Sequence, residues 1–597
     1  TTTLKKLYIL LLVLSYTVIN AQVCPSNAST KKVLIAGDSW AQYMSDDGTH
    51  NKMFDKFGHA DKDLVGPSLG SNPGPGYTGT QYAISGSEAR EWADRANYPW
   101  ITNVINEITA NPTIETVILS IGGNDILAAK SGGGWYKDMD LDVPGSEAAL
   151  FATIRANTFV IINDILAVHP NVEIVLSSYD YPNFNTGAFT CWIYACPKRN
   201  DLSRNATTSL ITDAELNQMM ITVEEERISW LASESRLKFA NAIGLSHYYY
   251  GDGVNAAGTL SLPEQAPPYS ANFYGGNKLR PAIRSNFRNT ADPIHLSAAA
   301  YEYKIIHQTM NNFLPKFRGD VTTTIYSSGG TQDGWVNNTT FGTAEVRVGD
   351  GGAGTSYKGI LNFDTSSIPD DAIINSLSFY MIRKGLSSAN PFTSGGLGAA
   401  NLEIKNGTFG TVNIENSDFL ATADANNAGC FHGTVTSNGY ALRVDLNAAG
   451  IAAINKTGNT QFRVSFPNTN ANADYIDFNT GNATVDTNIT TVGLAEYMNS
   501  AKPFLDINYT VPLSVDAYDS LSNVVLYPNP VKNNFTVNGL DSSMYQLQIV
   551  SIQGQVIKEV RNFQNEQSVD INQLANGIYF VRIQNGTQFK IIKILKN

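Results

Sequence analysis

Three side chains in the sequence have the types and the spacing that nucleophilic catalysis needs. Ser39 directly follows the apolar run Val33–Asp38, VLIAGD, which is typical of a strand that ends at a tight turn. Asp292 and His295 lie three residues apart in ADPIHL, on a loop that contains proline. That separation lets the carboxylate reach one imidazole nitrogen while the other nitrogen faces a serine from elsewhere in the chain. These residues predict a serine nucleophile, a histidine base and an aspartate that orients the histidine.

Two other motifs carry groups that could stabilise an oxyanion. Asn124 follows a second apolar run in VILSIGGND, and its side-chain amide could donate a hydrogen bond to developing negative charge. Gly86, in YAISGSEAR, could offer an unobstructed backbone N–H. Each position also has a purely structural interpretation, because asparagines and glycines shape turns and Asp38 before Ser39 is ordinary helix N-cap chemistry. The motifs therefore have to be judged as a set.

Alternating strand-like and helix-like segments would position these residues. From Lys31 to about Pro315, short apolar runs such as ETVILSIGG and NVEIVLSSYD alternate with helical segments such as SEAALFATIRANTFVIINDILAVH. This alternation predicts a parallel sheet covered by helices. In such sheets the loops that follow the strands meet at the carboxyl edge, where ligands bind. Ser39 and Asn124 are both expected at that edge.

The motifs GDS, Gly86, GGND and DPIH occur in this order, and the ordered set resembles the SGNH, or GDSL, hydrolase family. A single motif of this kind is weak evidence, whereas four in the family's order are strong evidence. The resemblance implies a three-layer α/β/α domain of the flavodoxin-like type over residues 24–317.

The same resemblance implies a role for each residue of the set. Ser39 would be the nucleophile, His295 the general base and acid, and Asp292 the residue that orients His295. The backbone N–H groups of Ser39 and Gly86 would form the oxyanion hole together with the Asn124 side chain. The resemblance implies no metal and no cofactor.

The character of the sequence changes after this segment. Over residues 318–511, strand-like runs are separated by Gly, Asn, Asp and Ser clusters, which predicts an antiparallel β-sandwich. The block YKGILNFDTSSIPDDAIINSLSFYMI is similar to DNRLRE-type β-sandwich modules, a resemblance that implies polysaccharide binding. Trp335, Tyr357 and Tyr380 could stack on sugar rings, or they could belong to the core of the sheets. A structural spacer is the alternative.

The last segment carries a separate signal. After a polar linker over residues 512–523, residues 524–597 contain YPNP, GIYFVRI and a basic final strand. These motifs look like the type A sorting domain of the type IX secretion system. The resemblance implies that the secretion machinery is a partner of this domain.

The first residues predict an export signal. Lys5 and Lys6 precede the apolar run Leu7–Ile19, and a cleavage point at Ala21 would remove residues 1–21 as a signal peptide. The run is shorter than the roughly 20 apolar residues that a spanning helix needs, so we expect no transmembrane anchor after cleavage. With the sorting domain, this predicts a protein that crosses the periplasm and outer membrane to the cell surface or the medium.

Charge and cysteine content exclude several other classes of protein. The net charge of −12 gives no general field that would attract nucleic acid. Four cysteines in 597 residues cannot form a disulfide scaffold, although Cys191 and Cys196 could close a small loop. A zinc site at this pair would need further His or Cys ligands, which do not cluster there.

Three functions remain open from the sequence. The leading hypothesis is a secreted serine esterase that acts on an ester substrate, most plausibly as a polysaccharide (acetyl) esterase. A lipase, phospholipase or general carboxylesterase would use the same catalytic set. A surface adhesin or carbohydrate-binding protein without catalysis belongs to a different class, and the intact set Ser39, Asn124, Asp292 and His295 counts against it.

Overall fold

The computed structural model describes residues 30–47, 54–65, 69–71, 81–127, 144–183, 212–263, 274–283, 286–288, 292, 294–393, 396–485, 493–512, 521, 523–586 and 588–597. The predicted signal peptide and Cys24, Cys191 and Cys196 lie outside these residues. Two compact units are present. The first comprises the described residues up to Asp370 together with Ile374–Tyr509, and the second comprises Asp371–Ile373 and Thr510–Asn597.

The first unit begins with a parallel sheet. Its strands are β1 Thr30–Gly37, β2 Lys62–Val65, β3 Leu69–Ser71, β4 Ala83–Ser85, β5 Thr116–Ser120, β6 Glu173–Ser177 and β7 Leu237–Ala240. They lie in the order β3-β4-β1-β5-β6-β7, with β2 beside β1, and every pair is parallel. The central five, β4-β1-β5-β6-β7, follow the order 2-1-3-4-5 of flavodoxin-like sheets.

Helices cover both faces of this sheet. They are α1 Ser39–Asp46, α2 Ala89–Ala93, α3 Trp100–Ala110, α4 Gly123–Leu127, α5 Ser146–Leu166, α6 Asp213–Ser229, α7 Leu245–Tyr250, α8 Ala298–Gln308 and α9 Leu314–Arg318, with a 3₁₀ turn at Trp230–Ser233 and a π turn at Thr309–Phe313.

Alternate residues of β1 face the two helical layers, as the strand period requires. Leu34 and Ala36 pack in the core under α3 and α5, whereas Val33 and Ile35 pack in the core under α1 and α8. The three-layer α/β/α arrangement follows directly from this alternation. By length and composition α5 could span a membrane over Glu147–Leu166, but its apolar side chains pack in the core of the sheet, as a core helix does.

Antiparallel strands form the rest of the first unit. They are β8 Thr323–Tyr326, β9 Gly334–Val336, β10 Phe341–Gly342, β11 Val346–Asp350, β12 Ser356–Asp364, β13 Ile373–Leu386, β14 Asn401–Asn406, β15 Gly429–His432, β16 Ala441–Leu446, β17 Asn459–Ser465, β18 Tyr475–Phe478 and β19 Phe504–Thr510. A 3₁₀ turn spans Asn416–Phe419, and helices α10 and α11 span Ala448–Ala452 and Leu494–Met498.

The core of this β region holds three phenylalanines. The rings of Phe363 on β12, Phe379 on β13 and Phe462 on β17 contact one another edge to face, with centroids 5.1–5.9 Å apart. All three side chains are fully buried. Cys430 on β15 is disulfide-bonded.

The α/β and β regions share one hydrophobic core. Phe57, Ile306 and Leu314 from the α/β region pack with Tyr380 and Phe504 from the β region, among other buried residues. The ring of Tyr380 stacks on that of Phe504 with centroids 4.6 Å apart and is 1% exposed. The suggestion that Tyr380 could stack on a sugar was therefore wrong, because its ring is enclosed in this core.

Two ion pairs border the shared core. Arg318 on α9 holds the carboxylate of Asp506 on β19 with two hydrogen bonds of 2.8 and 2.7 Å. Arg443 on β16 lies 2.9 Å from the carboxylate of Asp61, just before β2. The two-pronged contact of Arg318 adds geometric specificity to attraction, and both ion pairs join the α/β region to the β region.

The second unit is a small two-sheet structure. Its strands are β20 Val525–Tyr527, β21 Asn534–Asn538, β22 Tyr545–Ser551, β23 Val556–Phe563, β24 Ser568–Asp570, β25 Gly577–Asn585 and β26 Gln588–Lys596. They form sheets of order β20-β21-β24 and β23-β22-β25-β26. Phe535, Leu547 and Val581 are buried between them. Leu521, which we assigned to the linker, packs in the same core and so belongs to this unit.

Candidate active site

Ser39 stands where β1 ends and α1 begins. Asp38 is the N-cap of the helix, and its Oδ1 accepts a hydrogen bond of 2.9 Å from the Trp40 backbone N–H. The cap satisfies one of the N–H groups that a helix start leaves without an internal partner. Ser39, the first helical residue, is thereby held at the carboxyl edge of the parallel sheet, where it is 3% exposed.

Gly37 allows this turn to lie close to β5. Its φ is +134°, and a Cβ at this position would lie 1.8 Å from the backbone oxygen of Ser120. The next residue, Asp38, donates its backbone N–H to the same oxygen at 2.8 Å. A side chain at Gly37 is excluded by this approach, so the glycine of the GDS motif sets the position of the serine.

His295 lies on a short loop that backbone contacts close. An isolated antiparallel bridge joins Phe287 to Leu296, and the Arg288 N–H donates to the His295 carbonyl at 2.8 Å. Ser297 then caps α8, with its side chain accepting a backbone N–H of the first turn. The imidazole is therefore presented by backbone that is fixed on both sides.

The structure brings Ser39, His295 and Asp292 into one chain of hydrogen bonds. His295 Nε2 lies 2.7 Å from Ser39 Oγ, and Nδ1 lies 2.7 Å from Asp292 Oδ2. The other carboxylate oxygen, Oδ1, accepts the backbone N–H groups of Ile294 and His295 at 3.0 and 2.9 Å. With Nδ1 donating to the carboxylate, Nε2 accepts the serine proton, the arrangement of a serine–histidine–aspartate triad.

Asp292 is suited to remain ionised. Burial raises the pKa of its carboxyl, but the hydrogen bonds from the His295 ring and from two backbone N–H groups outweigh burial and leave the pKa below its ordinary value. A carboxylate at this place favours the charged form of the imidazole when His295 takes up a proton.

Hydrogen bonds around Ser87 join the turn that contains Gly86 to α4, which contains Asn124. Gly86 follows β4 with φ +76°, and no atom lies within 4 Å of the place where a Cβ would be. Ser87 Oγ donates to the Ile84 carbonyl at 2.7 Å and accepts from Trp92 Nε1 at 2.9 Å. Asn124 Nδ2 donates to the Ser87 carbonyl at 3.0 Å. A side-chain amide carries two N–H groups, so the second can serve an oxyanion.

Asp125 connects α4, which also carries Asn124, to α2. Its Oδ2 accepts the Ala89 backbone N–H at 2.9 Å, and the carboxyl is fully buried. Burial raises the pKa of Asp125 to about 7. This residue belongs to the GGND motif, but its contacts in the structure are with the protein interior.

Two side chains outside the sequence motifs, Tyr43 and Arg288, form a group that packs against His295. The ring of Tyr43 lies edge-on to the imidazole with centroids 4.8 Å apart, and the Arg288 guanidinium lies 3.8 Å from the Tyr43 ring. Arg288 also binds both oxygens of Asp47 at 2.7 Å. The sequence held one indication that Tyr43 lies near the site. Tyr43 is four residues after Ser39, and residues four apart lie on the same face of a helix.

Among the described residues, no group of three or more His, Cys, Asp and Glu side chains lies close enough to hold a metal ion.

Comparisons with known proteins identify one region by sequence. Residues 501–597 match the model of the secretion system C-terminal sorting domain. No curated protein matches the chain.

Some solved structures resemble part of the chain. A carbohydrate esterase family 3 protein from Talaromyces cellulolyticus is 12% identical over 47% of this chain and 94% of its own, with a TM-score of 0.24. The Clostridium thermocellum family 3 carbohydrate esterase is 14% identical over 49% and 98%, with a TM-score of 0.23. An aryl esterase from M. smegmatis is 10% identical over 47% and 97%, with a TM-score of 0.25.

Residues 501–597 are therefore a sorting domain of the type IX secretion system, which directs export to the cell surface or the medium.

Proposed function

We propose that the protein is an exported serine esterase that hydrolyses carboxylic esters through an acyl-enzyme on Ser39. The observation that carries the proposal is the chain of hydrogen bonds from Ser39 Oγ to His295 Nε2 and from Nδ1 to Asp292, each 2.7 Å long. Its position at the carboxyl edge of a parallel sheet is where ligands of such sheets bind.

In the proposed reaction His295 takes the Ser39 proton as Oγ attacks the ester carbonyl. The oxyanion is held by the backbone N–H groups of Ser39 and Gly86 and by the Asn124 amide. His295 then gives its proton to the leaving alcohol, and the acyl group remains on Ser39. Water, deprotonated by His295, attacks the acyl-enzyme, and His295 returns that proton to Ser39 Oγ as the bond to the acyl group breaks and the acid leaves. Loss of one oxyanion donor typically lowers kcat by ~10²–10³.

The substrate we propose is an acetylated extracellular polysaccharide. Export supports this choice, because a protein sent to the cell surface or the medium meets polymers there rather than the metabolites of the cytoplasm. Polysaccharide binding by the β region is a further part of the proposal. Trp335 and Tyr357 on β9 and β12 are its aromatic candidates, since both remain partly exposed.

Acyl release from a panel of esters tests the proposal. The panel contains acetylated polysaccharides and p-nitrophenyl esters of short and long acids, and it compares the wild-type protein with Ser39→Ala. We expect acetate release from the polysaccharides by the wild type and a loss of at least ~10³-fold in Ser39→Ala.

Ser45→Ala is a matched control, because Ser45 lies on the same helix and is buried but takes no part in the triad. Preference for long acyl chains would favour a lipase over a polysaccharide esterase. Equal inactivity of the wild type and Ser39→Ala on every ester would refute the catalytic proposal.

A further inference from the structure

Tyr179 lies between the start of α1, which carries Ser39, and the start of α4, which carries Asn124. It follows β6 by two residues, at the carboxyl edge of the sheet, and is 3% exposed. Its hydroxyl donates to Asp38 Oδ2 and accepts the Gly123 backbone N–H at 2.9 Å. A phenol hydroxyl has one hydrogen to donate and lone pairs that accept. Tyr179 donates this hydrogen to Asp38 and uses a lone pair to accept the N–H of Gly123.

Each partner of this hydroxyl is one residue away from a group of the proposed site. Asp38 precedes Ser39 and caps its helix through the other carboxylate oxygen. Gly123 precedes Asn124 at the start of α4. One hydroxyl therefore connects the segment that carries the nucleophile to the segment that carries an oxyanion donor.

The packing around Tyr179 leaves this connection little freedom. A Cβ on Gly123 would lie 2.5 and 2.7 Å from ring carbons of Tyr179, so the chain crosses directly over the phenol. Trp40 packs against the same ring at 5.2 Å, edge to face. The Tyr179 backbone N–H donates to Glu224 at 3.0 Å, and Glu224 pairs with buried Arg227 at 2.9 Å.

We infer that Tyr179 is a positioning residue that sets the separation of Ser39 and Asn124 and so pre-organises the oxyanion hole. The inference rests on the proposed esterase function. Oxyanion donors act only if they lie at hydrogen-bond distance from the place where the charge develops. An error of about 1 Å in such a place can cost ~10²-fold in rate.

The test compares Tyr179→Phe with Tyr181→Phe. Tyr181 is a close match, because its side chain is buried beside the same strand end and its hydroxyl has no hydrogen-bond partner among the described residues. Both variants lose one buried phenol hydroxyl, but only Tyr179→Phe loses the link between Asp38 and Gly123. The measurements are kcat and KM on p-nitrophenyl acetate and the thermal midpoint of each protein.

We expect Tyr179→Phe to lower kcat by about 10- to 100-fold with KM changed less than about threefold, since the lost interaction acts in the transition state. Tyr181→Phe should keep the wild-type kcat. If Tyr179→Phe does not fold, Asp38→Asn keeps an oxygen for the Trp40 N–H but removes the acceptor for the Tyr179 hydroxyl proton, and it should give the same split between kcat and KM.

Two results would refute the inference about Tyr179 without refuting the proposed esterase function. One is a Tyr179→Phe protein with the wild-type kcat. The other is an equal loss of kcat in Tyr179→Phe and Tyr181→Phe, which would indicate general damage to the core. A wild-type protein without hydrolysis that depends on Ser39 would instead refute the proposed function, and the inference would fail with it.

Discussion

Among single residues, Asp292 has the task of orienting His295 in the proposed reaction. The carboxylate accepts hydrogen bonds from Nδ1–H and from two backbone N–H groups, and these contacts hold its pKa below the ordinary value. Such a group selects the tautomer in which Nε2 can accept the serine proton, and it stabilises the imidazolium that forms.

The variant Asp292→Asn removes the negative charge of the side chain and keeps its size. Asp292→Asn keeps an oxygen for the backbone N–H groups but presents an amide to Nδ1, which favours the wrong tautomer. We expect kcat to fall by ~10³–10⁴ while the protein stays folded. Steady-state kinetics on p-nitrophenyl acetate and a thermal melt check this, and a kcat within about tenfold of the wild type would contradict the role we assign.

Tyr43 provides a second prediction at this scale. Its ring contacts both the imidazole of His295 and the guanidinium of Arg288. Tyr43→Leu removes the ring, so we expect kcat to fall about tenfold because the imidazole is less confined. Tyr43→Phe keeps the ring and should retain most of the activity. Equal kcat in the two variants would show that the ring contact does not position His295.

At the scale of elements, the buried carboxyl of Asp125 ties the start of α4 to α2. Burial raises its pKa from 3.8 to about 7. The folded protein therefore holds a proton that the unfolded chain releases between these values. The resulting stabilisation is complete below the unfolded pKa and is lost as the pH rises through the folded pKa.

Asp125→Asn tests this link between pH and stability, because the amide does not titrate. Relative to the variant, we expect the wild type to lose roughly 2–3 kcal/mol of unfolding free energy between about pH 5 and about pH 8. Urea denaturation of both proteins at several pH values measures the difference. A difference that stays constant across this range would contradict a raised pKa for Asp125.

The sequence predicted the elements better than it predicted their contacts. Apolar runs rich in β-branched residues, such as VILS at residues 117–120, predicted the strands. The polar residues that follow these runs predicted which groups lie at the carboxyl edge of the sheet. The contacts of Tyr179 with Asp38 and of Arg288 with Asp47 join residues 141 and 241 positions apart. No local pattern encodes such pairs, so only the folded chain reveals them.

At the scale of the whole molecule, the β region is a structural partner of the α/β region. Phe504 and Tyr380 cover Phe57, Ile306 and Leu314, which would otherwise be exposed apolar surface. The change of character after Pro315 predicted a β region separate from the α/β domain, whereas the two regions lie in one compact unit and share a core. Aromatic residues at strand positions give no indication whether they face their own sheet or a neighbouring domain.

A cavity in this shared core should lower the stability of the catalytic region. Phe504→Ala removes a fully buried ring, and we expect a loss of about 3–5 kcal/mol. The urea concentration at which esterase activity is lost should fall accordingly. Phe535→Ala makes a similar cavity in the core of the second unit and should leave that concentration unchanged. If both variants lowered this urea concentration equally, the stability of the catalytic region would not depend specifically on the core that contains Phe504.

Covalent labelling shows directly whether Ser39 carries the acyl group. The protein is treated with a p-nitrophenyl phosphonate, an ester analogue that leaves a stable adduct on an activated serine, and its peptides are then mapped by mass spectrometry. We expect one adduct, on the peptide that contains Ser39, and none in Ser39→Ala or His295→Gln. An adduct on another residue, or ester hydrolysis that persists in Ser39→Ala, would contradict this role of Ser39.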